Sequence, residues 1–119
     1  MKRLFLDDDP ERHRVFKMLY PDADYVWTAA EAIKAIQDNQ YQVIHLDHDL
    51  GGRQYVDSED PSGTGLTVAR AIVERYARSR LTMPEVVIHS FNREGMFKML
   101  AVLYASGFDV SWKPFRNFA

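Results

Sequence analysis

The chain has no cysteine, which removes disulfides, thiolate zinc sites and cysteine nucleophiles at once and leaves the redox compartment open. It also lacks any long apolar run. Nothing approaches the roughly 20 residues of a membrane span, and the start, MKRLFLDDDP, turns acidic too early for a secretory leader. These absences make a soluble, cytoplasmic protein with no membrane contact the expectation. There is no basic excess either: Lys and Arg number 15 against 17 Asp and Glu, for a formal net charge of -2. General nucleic-acid binding is therefore not expected, and any contact with a polyanion is local. Neither an internal repeat nor a low-complexity tract is found. The 119 residues read as one domain, 1–119, long enough to bury roughly two thirds of the surface the unfolded chain exposes.

What is present is a regular alternation of short apolar runs and helical segments. Leu4 to Leu6 is a strand ended by three aspartates, and Pro10 opens a helix, PERHRVFKMLY, at the position where proline is tolerated. Asp24 to Trp27 reads as a second strand, and Thr28 with Glu31 forms a capping box for AAEAIKAIQDN, which stops near Asn39. Val43 to Leu46 is the third strand. The chain then spends the stretch from about 48 to 63 without periodicity before a helix at Gly65 to Arg78. A strand-to-helix connection usually takes roughly 2 to 6 residues, so this loop reads as a functional flap or a disordered insert. Val86 to His89 is the fourth strand, REGMFKMLAVLYAS the fourth helix, ended by Gly107, and Asp109 to Trp112 the fifth strand. Five apolar strands separated by helices predict an α/β protein with a parallel sheet, because parallel neighbours need crossovers.

In such sheets ligands sit outside the carboxyl ends of the strands, and there this sequence keeps its polar chemistry. Asp7 and Asp8 follow the first strand, Asp47 to Asp49 the third, His89 and Ser90 the fourth and Lys113 the fifth. Two acidic clusters on one rim repel each other unless a cation lies between them, and carboxylates favour a hard ion such as Mg2+ or Mn2+. His45 lies one pleat below Asp47, roughly 7 Å down the same strand face, and is expected to support from beneath. His48, at the strand's exit, is a candidate to reach a metal or a leaving oxygen. Neighbours on a regular strand alternate, so His89 and Ser90 cannot both face the site unless the backbone bends there. Asn92 is either a helix N-cap or a phosphate donor. Arg12 and Arg14 on the first helix and Arg53 in the long loop are candidate clamps for a second phosphate, with a solvated helix face the leading expectation for the first two. Phe97, Leu100 and Tyr104 recur at helical spacing and are expected in the core. Tyr55 is the one loop aromatic placed to stack on a base.

The segments LFLDDDPERH, VIHLDHDL, VVIHSF and WKPF, in this order, resemble the receiver domains of two-component signalling across nearly the whole chain. The resemblance implies a flavodoxin-like fold with five parallel strands in the order 2-1-3-4-5 and helices on both faces. It further implies that Asp7 and Asp8 hold a divalent metal, that Asp47 is the central carboxylate, that Asp49 completes the coordination through its carbonyl, and that Ser90 and Lys113 bind phosphoryl oxygens. By the same comparison the final helix of ordinary receivers is expected to be missing after Lys113-Pro114, so that one sheet face is expected to be thinly covered or contacted by a partner, a homodimer being the candidate.

The added histidines in LDHDLG and HSFN, with the loop GGRQYVDSEDPSG, are similar to a divergent group, the cyclic-phosphate processing receiver domains. That similarity implies metal-dependent hydrolysis of a cyclic nucleotide or other small cyclic phosphate, with Asp47, His48, His89 and Lys113 as catalytic candidates. Ser90, Asn92, Arg53 and Lys113 are then the phosphate-binding candidates, and Asp7, Asp8, Asp47 and Asp49 the metal set. The alternatives are a single-domain receiver phosphorylated on Asp47 and a binder that sequesters a nucleotide without chemistry.

Overall fold

The computed structural model describes residues 2–114. In chain order its elements are β1 (Arg3–Leu6), α1 (Pro10–Leu19), β2 (Asp24–Val26), α2 (Ala29–Asp38), β3 (Val43–Leu46), α3 (Gly65–Tyr76), β4 (Glu85–Ile88), α4 (Arg93–Ala105) and β5 (Val110–Trp112). The strands form one parallel sheet in the order β2-β1-β3-β4-β5, and no fifth helix follows β5 among the described residues. The expected helix starts are present. Asp9 caps α1 ahead of Pro10, and Thr28 and Glu31 close a reciprocal capping box on α2. No helix among the described residues is long and apolar enough to cross a membrane.

Strand parity divides the core in two. Leu4, Leu6, Ile44, Leu46, Val86 and Ile88 point to the face covered by α2, α3 and α4, where they join Ile36, Ile72, Met99 and Leu103. Among the described residues, the opposite face carries α1 alone. There Phe5 stacks on Phe16 with ring centroids 4.1 Å apart and on His89 at 5.1 Å. His45 lies buried on this face, and its Nε2 accepts from Arg3 Nη1 at 2.8 Å, since a guanidinium can only donate. Burial and the nearby charges of His89, Arg3 and Lys113 keep its imidazole neutral, with its pKa lowered to about 2.

The helix α4 departs from the expected packing. Phe97 and Tyr104 are not core residues: they are 63% and 75% exposed, and only Leu100 is partly buried against the core. The buried stripe is Met96, Met99 and Leu103. This helix is apolar on nearly every side, so periodicity alone could not choose the face. Gly95 chooses it, because that residue is pressed against the ring of His48 and fixes the rotation of the helix.

Candidate functional site

The register builds the site. The last paired row across the inner strands is Leu6, Leu46 and Ile88, and the next residues continue the ladder: Asp47 N donates to Leu6 O at 3.1 Å, His89 N to Leu46 O at 3.0 Å and Lys113 N to Ile88 O at 2.8 Å. Asp7, Asp47, His89 and Lys113 therefore form one row, and parity turns all four toward the α1 face. Adjacent strands lie about 4.8 Å apart. One donor atom each from Asp7, Asp47 and His89 falls within 4.8 Å of the others.

All three of these side chains are buried. His89 Nε2 donates to Asp7 Oδ2 at 2.8 Å, and Arg12 forks onto the same carboxylate, Nε to Oδ2 at 2.7 Å and Nη2 to Oδ1 at 2.9 Å. Burial pushes the Asp7 carboxyl up, but the bonds from His89 and Arg12 reverse this and hold it well below the usual carboxylate range. Asp47 has the opposite balance. Its Oδ1 accepts from His48 N at 2.9 Å, and Arg12 Nη2 stands 3.5 Å from Oδ2. Burial and the facing charge of Asp7 drive its carboxyl well above the usual range. Two oxygens and one imidazole nitrogen lying within 4.8 Å of one another, with one carboxyl raised by burial first and by its neighbour second, fit a divalent cation. Such an ion relieves the repulsion that Arg12 only partly meets.

The other candidate residues are distributed around this row. Asp8 is half-withdrawn: its Oδ2 accepts from Gly52 N at 2.5 Å, and burial raises its carboxyl. The carboxylate of Asp49 is occupied by the long loop, accepting from Tyr55 N at 2.6 Å and Val56 N at 3.1 Å, and from Asn92 Nδ2 at 3.0 Å. Against the pull of burial, these bonds and one from His48 hold it below the usual range. Asn92 is the N-cap of α4, its side chain accepting from Gly95 N at 3.0 Å. Ser90 Oγ accepts from Asn92 N at 3.0 Å, which leaves its own hydrogen to donate. Arg53 is tied to Asp60 at 3.0 Å and to Ser62 at 2.9 Å. Lys113 is exposed, and its charge acts on His45.

A cavity of about 220 Å³ reaches the row at Asp47 and is otherwise lined by Asp8, Arg12, Asp49, Arg53, Gln54, Tyr55, Ser90, Phe91 and Asn92; Asp7, His89 and Lys113 are not among its lining residues. Strand regularity ends at Ile88. His89 thus keeps its place in the row while Ser90 still reaches the cavity.

His48 lies elsewhere. Parity places it opposite Asp47, on the α4 side, fully buried, with Nδ1 2.8 Å from Asp49 Oδ1 and Nε2 2.8 Å from Ser58 Oγ. It is not among the described residues lining the cavity. Because the Ser58 hydroxyl is itself buried, the chain Asp49-His48-Ser58 anchors the long loop to β3. Two glycines make room for this anchor. A Cβ on Gly65 would lie 2.1 Å from Asp47 O, and one on Gly95 2.4 Å from the His48 ring. Gly95→Ala is accordingly expected to destabilise the protein by about 2 kcal/mol, overpacking outweighing the gain of roughly 1 kcal/mol in helix propensity. In denaturant titrations most of that loss should vanish when His48→Ala is the background.

The residue that the sequence hid is Arg12, expected on a solvated helix face and found bridging Asp7 and Asp47. It stands in the first turn of α1, and helical side chains lean toward the N-terminus, which here is the acidic loop.

A family model described as cyclic-phosphate processing Receiver domain matches residues 2–105. No curated protein matches the chain significantly. Among solved structures, it is similar to a CheY-like response regulator receiver domain from Methylobacillus flagellatus, with 20% identity, a TM-score of 0.66, and coverage of 96% of this chain and 85% of that one. It is also similar to the response regulator TrrA from Thermotoga maritima in complex with Mg(2+)-BeF, with 16% identity, a TM-score of 0.67, and coverage of 95% and 84%. A Francisella response regulator receiver domain gives 23% identity, a TM-score of 0.64, and coverage of 96% and 84%. At these identities the likeness establishes the fold.

Proposed function

Because the chain belongs to the cyclic-phosphate processing receiver domain family, we propose that it hydrolyses a small cyclic phosphate at the row of Asp7, Asp47 and His89 with the help of a divalent cation. The observation that carries this reading is the convergence of those three buried donors, with Asp47 among them facing a cavity that Arg12 and Ser90 also line. The mixed oxygen and nitrogen set suits Mn2+, with Mg2+ as the harder alternative. Bound there, the ion supplies Lewis-acid polarisation of a phosphoryl oxygen.

The chain's own residues do the rest. Arg12 keeps Asp7 ionised through its Nε and Nη2 and offers its remaining guanidinium N–H groups to an equatorial phosphoryl oxygen. The Ser90 hydroxyl donates to a second oxygen, and Lys113, next to His89 in the row, adds positive charge on the far side. Together they steady the charge that grows on the phosphoryl group as water adds. One ring P–O bond breaks, the proton from water goes to the departing alkoxide, and the product is a phosphomonoester. His48 acts through the loop it anchors and touches no reacting atom.

A second reading is supported by Asp47 itself, a carboxylate facing the cavity in a receiver fold: it accepts a phosphoryl group, and the domain signals. The two are separated by one pair of assays with purified protein and Mn2+ or Mg2+. The hydrolysis reading expects ring opening of at least one member of a panel of 2′,3′-cyclic, 3′,5′-cyclic and dinucleotide cyclic phosphates. A panel left intact, with a single phosphate added to the protein by a small phosphodonor and lost in Asp47→Asn, favours signalling instead.

A further inference from the structure

We infer that Tyr55 is a base-stacking residue, so that the ligand of the cavity is a nucleoside cyclic phosphate and not a cyclic phosphate lacking a base. The inference rests on the reading that the cavity takes a phosphate, and it adds the part of the ligand that lies outside.

The lining residues form a gradient. Asp47, Ser90 and Asn92 are 5%, 1% and 8% exposed, whereas Phe91 is 49% and Tyr55 77% exposed. The polar groups therefore make the floor and two aromatic rings stand at the rim. At about 220 Å³ the cavity is below the roughly 300 to 1,000 Å³ of a site that engulfs a drug-sized ligand. A phosphate and its ring fill the floor, and anything further attached emerges beside Tyr55 and Phe91.

Tyr55 is also held where a tyrosine is not at ease. Its φ is +54°, a left-handed conformation that bulky side chains rarely adopt. The Asp49 carboxylate captures Tyr55 N at 2.6 Å and Val56 N at 3.1 Å, and Asp49 is gripped by Asn92 at 3.0 Å and by His48 at 2.8 Å. A buried network thus keeps a strained backbone in place, and the result is an exposed ring at the cavity's edge. Strain of this kind gathers at sites of function. Stacking on an aromatic face tolerates any base, with the larger purine gaining most contact.

The test is equilibrium binding by calorimetry in Mg2+ in the Asp47→Asn background, where turnover does not consume the probes, with three of them: adenosine 2′,3′-cyclic phosphate, the base-free ethylene cyclic phosphate, and adenosine. With Tyr55 intact the protein is expected to bind the nucleotide at least tenfold tighter than the base-free ester. Tyr55→Ala should weaken the nucleotide roughly 5- to 150-fold, the range of one base–aromatic stack, and leave the base-free ester unchanged. Tyr55→Trp should restore binding and report it as quenched indole fluorescence. Equal affinity for the two phosphates, equal losses for both in Tyr55→Ala, or no rescue by Trp overturns the inference while the phosphate reading stands. If neither phosphate binds but adenosine does, and Tyr55→Ala weakens it, the phosphate reading fails and the stacking role survives. Binding of none of the three overturns both.

Discussion

Asp47→Asn is expected to lower turnover of a cyclic phosphate about a thousandfold or more while making the metal-free protein more stable by about 1 to 2 kcal/mol. Both effects come from one side chain. Asp47 is buried and faces Asp7, and its carboxyl is driven well above its ordinary pKa of 3.8 by desolvation first and by Asp7 second. The folded state thus holds a proton on Asp47 at pH values where the unfolded chain has released it. Unfolding then releases that proton, so stability falls as pH rises from 3.8 through the folded-state value. Asparagine keeps the shape and removes the titration. The stability difference between variant and parent should therefore widen as pH is raised from about 4 toward neutrality, and chemical denaturation at several pH values reads it. A variant less stable than the parent at neutral pH, with activity retained, contradicts the assignment.

Arg12→Ala is expected to destabilise the metal-free protein by about 3 kcal/mol, the low end for breaking a buried ion pair, since a quarter of the arginine side chain is exposed. The loss arises because Asp7 and Asp47 are left facing each other without the guanidinium that bridges them. Saturating Mn2+ or Mg2+ should recover most of it, as an ion at a hundred times its dissociation constant stabilises by about 2.7 kcal/mol. Arg12→Lys keeps the charge without the fork and should fall between the two. Urea titrations with and without metal decide it: a loss below about 0.5 kcal/mol, or no response to metal, shows that Arg12 is not the counter-charge of the pair.

The alternation of strands and helices and the rim of polar residues were legible because they follow from short-range rules: apolar runs of strand length, a capping box at Thr28 and Glu31, and acids at the ends of β1 and β3; the strand order came from the resemblance to receiver domains. Parity also held the placement of His48, since the residue after Asp47 must turn to the other face, toward α4. What it could not supply was a partner. Asp49 and Ser58 flank the ring only because the loop between them folds back on β3. Arg12 was hidden for a related reason: the pairing with Asp7 spans the turn into α1, where sequence spacing gives no direction. The exposure of Phe97 and Tyr104 was illegible because α4 offers two apolar stripes, and Gly95 against His48 selects between them.

Dependence of turnover on added metal, compared between the wild-type protein and His89→Ala, bears most directly on the claim that three strands each deliver one donor to a working site. The expected result is no hydrolysis of the cyclic phosphate in chelator, a saturable rise with Mn2+ or Mg2+, and a fall of about a hundredfold or more in His89→Ala. A rate that ignores the metal, or a His89→Ala protein as active as the wild type, contradicts it.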